Sequence, residues 1–117
     1  MQWLNYCGRE RHLGEMSFVD PLGESDCDRY RLQCTIERGQ PTIFRVQYEA
    51  FIDGEWRPIV RYDTGHGFPH RALLRHGRPE ERTEYPGRSH AEVLTLGQED
   101  IKRNWRTFRV QHEKMNK

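Results

Sequence analysis

Residues 44–52 set Phe44, Val46, Tyr48, Ala50 and Ile52 against Arg45, Gln47 and Glu49. A repeat of two puts one set of side chains on each face of a strand, so this segment predicts a half-buried β-strand. Asp53-Gly54 follows it directly, a strong signal for a tight hairpin turn. The next run holds Trp56, Pro58, Val60 and Tyr62 on one face and Arg57, Ile59 and Arg61 on the other. A strict two-residue turn would oppose Tyr48 to Ile59 and Val46 to Arg61, burying a charge. Matching the apolar faces needs one extra residue, so a bulge or a three-residue loop is expected.

The same period appears upstream. Tyr30, Leu32, Cys34 and Ile36 alternate with Arg31, Gln33, Thr35 and Glu37, and Arg38-Gly39-Gln40-Pro41 reads as a turn. Shorter strands are expected near Arg71–Arg75 and Glu81–Tyr85, and Met16–Val19 could add an edge strand. The period then changes. Ser89-His90-Ala91-Glu92 fits a capping box, and Leu94, Gly97, Gln98, Ile101, Trp105, Phe108 and His112 follow helical spacing. Trp105 and Ile101 fall on the expected sheet-facing stripe, and Gly97 would let the helix approach the sheet closely. The fold class is α+β: an antiparallel sheet of four to five strands with one long C-terminal helix packed across it. The division is an irregular acidic segment over 1–28 and a single domain over 29–117, with sheet 29–86 and helix 89–114.

Charge divides along the same line. Net charge is only +1, yet residues 1–28 carry two Arg against six Asp/Glu. Residues 101–117 carry six Lys/Arg against one Glu. The acidic segment Asp20–Asp28 is therefore expected to lie near the basic surface. The bias toward a basic C-terminus suits a polyanion or an acidic partner. Lys102, Arg106 and Arg109 form a stripe on the outer helix face, and with Arg75 they are the candidate nucleic-acid contacts.

Cys7, Cys27 and Cys34 are odd in number and lack Cys-x-x-Cys spacing, so no disulfide framework or thiolate zinc site is supported. The sequence shows no signal peptide, transmembrane run or lipidation motif. The expectation is a cytoplasmic protein without membrane partners and without a cofactor.

The chemistry concentrates between Arg61 and His76. This stretch holds Asp63, His66, His70, His76, Arg61, Arg71 and Arg75 around a Gly-His-Gly-Phe-Pro core. His66 and His70 have the spacing of a helical metal pair, but Gly65, Gly67 and Pro69 oppose a helix, so no metal is expected. Cleaving RNA without a metal needs a base, an acid and a cation for the developing phosphorane charge. His66 and His70 could share the first two roles, with Arg71 and Arg61 as clamps. Asp63 could orient an imidazole or cap the turn at the strand end.

Arg61-Tyr62-Asp63, then His66, then Phe68-Pro69-His70-Arg71, with His76 downstream and a long C-terminal helix, resemble the TumE type of small toxin from toxin–antitoxin modules. The resemblance covers roughly residues 42–110. It implies a growth-inhibiting toxin acting on RNA, an endoribonuclease neutralised by a cognate antitoxin protein. A homodimer is compatible with such a chain. The loop departs from that pattern in having single rather than adjacent histidines. The competing reading is a non-catalytic module that binds nucleic acid or protein through the same loop and the helix stripe.

Overall fold

The computed structural model describes residues 13–65, 68–75 and 77–115. Six strands form one sheet: β1 (Leu13–Pro21), β2 (Asp28–Glu37), β3 (Gln40–Ile52), β4 (Glu55–Asp63), β5 (His70–Arg75) and β6 (Arg78–Glu84). Each pairs antiparallel with the next, so spatial order equals chain order. One helix, α1 (His90–Met115), follows and packs on β3, β4 and β5. The α+β class with a helix across an antiparallel sheet therefore holds, but the sheet has six strands rather than four or five. The additional strand is the edge strand that Met16–Val19 could add, lengthened to Leu13–Pro21 within the segment otherwise expected to be irregular. β1 carries Gly14, Glu15, Asp20 and Pro21, which weaken a strand signal, yet it pairs with β2 along its whole length. An edge strand tolerates such residues because only one side must complete its hydrogen bonds.

The turns set the register. Arg38 and Gly39 have φ of 53° and 80°, and Asp53 and Gly54 have φ of 53° and 82°. Two successive positive φ values are those of the type I′ turn, whose twist matches that of the flanking strands. The β3–β4 hairpin keeps this two-residue turn and places the extra residue at Ile59: Tyr48 opposes Val60, while Glu49 opposes Pro58. The bulge lets Val46 and Tyr48 meet Tyr62 and Val60, as the apolar pattern demanded. It also moves Trp56 to the opposite face, across from Phe51.

The core lies between the sheet and α1. Leu32, Val46, Tyr48, Val60, Tyr62, Val93, Leu94 and Ile101 are fully buried there, with Trp105 beside them. The capping box forms as its residues require: the Glu92 amide donates to Ser89 Oγ at 3.1 Å, and the Ser89 amide donates to Glu92 Oε1 at 2.8 Å. β6 is exposed along its length and carries Pro79 and alternating charges. These are features that keep an edge strand from pairing with another chain.

Candidate nucleic-acid interface

The sheet has a second face, turned away from α1, and its residues align in rows across the strands. One row runs Ser17, Gln33, Arg45, Asp63, His70 and Glu84. The next runs Val19, Arg31, Gln47, Arg61, Ala72 and Arg82. Beyond it, Arg29 opposes Glu49. The polar halves of the alternating strands thus converge on one surface.

A hydrogen-bonded lattice fixes these side chains. Glu49 accepts from Arg29 Nε at 2.7 Å, from Arg31 Nε at 3.1 Å and from Gln47 Nε2 at 2.6 Å. Burial alone would raise the Glu49 pKa, but the donors from Arg29, Arg31 and Gln47 outweigh it and hold the carboxyl below its ordinary value. Gln47 turns its Oε1 to Arg61, which donates from Nε at 2.7 Å. Burial, and then the charge of Arg45 nearby, lower the Arg61 pKa. At one end of the patch the Arg29 guanidinium lies 3.8 Å from the Trp56 ring centroid. Phe51 meets Trp56 edge to face at 5.3 Å and remains 39% exposed.

At the other end, Asp63 is the hub. Its Oδ1 lies 3.0 Å from His70 Nε2 and accepts from the Gly65 amide at 3.0 Å, and Oδ2 lies 3.3 Å from Arg45. Asp63 therefore caps the turn, and the same oxygen faces the His70 imidazole. His70 faces a second acceptor, the Phe68 carbonyl, 3.4 Å from Nδ1. Its side chain is 4% exposed. A groove of about 540 Å³ opens beside Asp63 and is lined by Gln33, Thr35, Ile43 and Arg45.

The expected site residues divide. Asp63, Arg61 and His70 share the open face. Arg71 follows His70 in β5, so strand alternation sends it to the helix face, opposite Tyr62. There it opposes, by a small amount, the burial that raises the Tyr62 pKa. His70 and Arg71 belong to a strand rather than to a loop. His66 and His76 lie outside the described residues. Arg75 is paired with Glu81 at 2.6 Å. Lys102 and Arg106 are exposed on α1, away from the open face. Arg109 is tied to Asp28 at 2.7 Å, so the acidic segment does meet the basic helix at that point. Arg29, Arg31, Arg45, Gln47 and Glu49 were not singled out from the sequence. Their signal was present as arginines on the polar face of neighbouring strands.

Among the described residues no group of three His, Cys, Asp or Glu side chains is placed to hold a metal ion. No helix among them is long and apolar enough to cross a membrane. Comparison with curated proteins and with solved structures gives no match. Residues 8–117 match one family across nearly the whole chain, and the protein belongs to it: the Domain of unknown function (DUF7718) family.

Proposed function

We propose that this protein is an RNA-binding module that takes single-stranded RNA on its open sheet face. The supporting observation is the arginine lattice: Arg29 and Arg31 stand against the Glu49 carboxylate, Arg45 against that of Asp63 and Arg61 against the Gln47 amide oxygen, each held in place before any ligand arrives. Guanidinium groups suit phosphate, and fixing them in advance reduces the entropy lost on binding. Phe51, exposed beside Trp56, offers a surface on which a base can stack. A sheet face with both elements fits a splayed single strand better than a duplex. The test is fluorescence anisotropy with a labelled single-stranded RNA at low salt. Binding is expected, and the Arg31→Ala/Arg61→Ala variant should weaken it by tenfold or more, on the order of two lost charge-assisted contacts. Equal affinity of this folded variant would remove the proposal.

A ribonuclease toxin with a cognate antitoxin is the second reading, and one observation favours it: Asp63 faces a histidine beside the groove. In this reading His70, beside Asp63, and His66 form the acid–base pair. Growth arrest on expression, abolished by His66→Ala, is the outcome that would select it.

A further inference from the structure

The groove at the Arg45 end of the open face narrows the ligand, in an inference that rests on the RNA-binding reading. Arg45 and Arg61 lie on neighbouring strands, in adjacent rows of the same face. Arg61 donates to the amide oxygen of Gln47 rather than to a carboxylate. Arg45 touches Asp63 through one nitrogen and leaves 47% of its side chain exposed. Two guanidinium groups thus occupy adjacent rows with donors to spare, and the Asp63 carboxylate offsets only part of their mutual repulsion.

The groove starts at Arg45 and extends toward β1. Its volume of about 540 Å³ lies within the span of small-ligand sites. Ile43 gives it apolar surface, Ser17, Gln33 and Thr35 bring hydroxyl and amide groups that can donate and accept, and Glu15 sets an exposed carboxylate at its β1 end, remote from Arg61 in the strand order. Asp63 does not repel an anion there as a free carboxylate would. One of its oxygens is engaged by His70 and Gly65, the other by Arg45.

We propose that this groove is a nucleotide subsite: Arg45 and Arg61 seat one phosphate, and the attached base lies between Ile43 and the polar edge formed by Gln33 and Thr35. The ligand class is a nucleoside monophosphate, as one residue of a bound RNA strand. The strand then continues over Arg31 toward Trp56.

The test is an amide NMR titration of the full ¹⁵N-labelled chain with nucleoside 5′-monophosphates, with inorganic phosphate, and with a single-stranded RNA. The monophosphates should shift Gln33, Thr35, Arg45 and Gly65 at concentrations on the order of 1–10 mM, as expected for weak fragments. Inorganic phosphate should shift Arg45 and Arg61 and spare Thr35. Arg45→Ala should weaken the monophosphates about tenfold while the spectrum keeps its dispersion. RNA binding with no groove shifts from the monophosphates overturns the subsite and leaves the RNA reading intact. Groove shifts without RNA binding overturn the RNA reading and retain a nucleotide site. Shifts spread along α1 overturn the subsite as well.

Discussion

Gly97 in α1 lies so close to Tyr62 in β4 that a Cβ at position 97 would stand 2.7 Å from Tyr62 Cγ. Tyr62 cannot retreat easily. It is buried, it stacks on Tyr85 at 6.4 Å, and its hydroxyl donates to Asp100 at 2.5 Å. In an exposed helix Gly→Ala stabilises by about 1 kcal/mol. Here overpacking, which costs about 1–3 kcal/mol, should win. Gly97→Ala is expected to destabilise by about 1 kcal/mol in urea unfolding, where propensity alone predicts the opposite sign.

A second lock joins the helix to the sheet through Asp28. Its carboxylate accepts from the Tyr48 hydroxyl and from Arg109, and Asp28 itself is 4% exposed. Burial, and then the bond to Asp28, raise the Tyr48 pKa far above its usual range, so the phenol stays neutral. Asp28→Ala strands both partners. The expected loss is about 3 kcal/mol, the low end for removing one member of a buried pair. Arg109 softens it, keeping a quarter of its side chain in water and a second partner in Glu113. Tyr48→Phe keeps the ion pair and should cost about 1 kcal/mol. Equal losses in the two variants would contradict this division.

Deletion of residues 1–28 should yield unfolded protein, because it removes β1 and this anchor together. Far-UV circular dichroism of the truncation is the measurement. A native spectrum would show that the segment only covers the sheet.

Glu49 sets an acid limit to stability. Its folded pKa lies below the ordinary glutamate value of 4.5, so between the two values the unfolded chain binds the extra proton. The contribution is complete above the unfolded pKa and is lost as pH falls through the folded one. Chemical unfolding midpoints should therefore drop on acidification below about pH 4.5, and Glu49→Gln should flatten that limb. An unchanged acid limb in Glu49→Gln would place the titration elsewhere.

The hairpin shows what the sequence could disclose. The apolar faces of 44–52 and 56–62 demanded an extra residue, and the bulge at Ile59 supplies it. The capping box and the approach of Gly97 were equally local and equally legible. The arginine lattice was not. Arg31, Gln47 and Arg61 share a row only because two bulges set the register: one places Thr35 opposite Ile43 while Ile36 opposes Pro41, and the other lies at Ile59. A polar face reads as solvent-exposed until the strands are aligned, since a one-residue slip turns every side chain over. The Arg61–His76 stretch misled for a related reason. Its histidines and arginines suggested one loop, but strand alternation across His70 and Arg71 separates them onto opposite faces.

His70 then behaves as an interior residue. It is 3% exposed, and each ring nitrogen faces an oxygen of the protein, Asp63 Oδ1 or the Phe68 carbonyl. His70→Ala should cost about 2–3 kcal/mol, the range for unpairing a buried charged acceptor. A surface-loop histidine would lose almost nothing. The thermal midpoint decides: if His70→Ala melts with the parent protein, Asp63 does not depend on the imidazole.

Which face meets RNA can be read from the salt dependence. For a single strand, each phosphate neutralised contributes about −0.7 to the slope of log K against log salt. Arg31→Ala and Arg61→Ala should each make the slope shallower by about that amount. Lys102→Ala/Arg106→Ala should leave it unaltered, because these groups lie on α1. Lys102 also sits 5.2 Å from the Tyr30 ring centroid and Arg106 4.4 Å from that of Trp105, so each cation already has an aromatic neighbour. The reverse pattern, a shallower slope in the helix variant and none in the sheet variants, would move the interface to the stripe that the sequence first suggested.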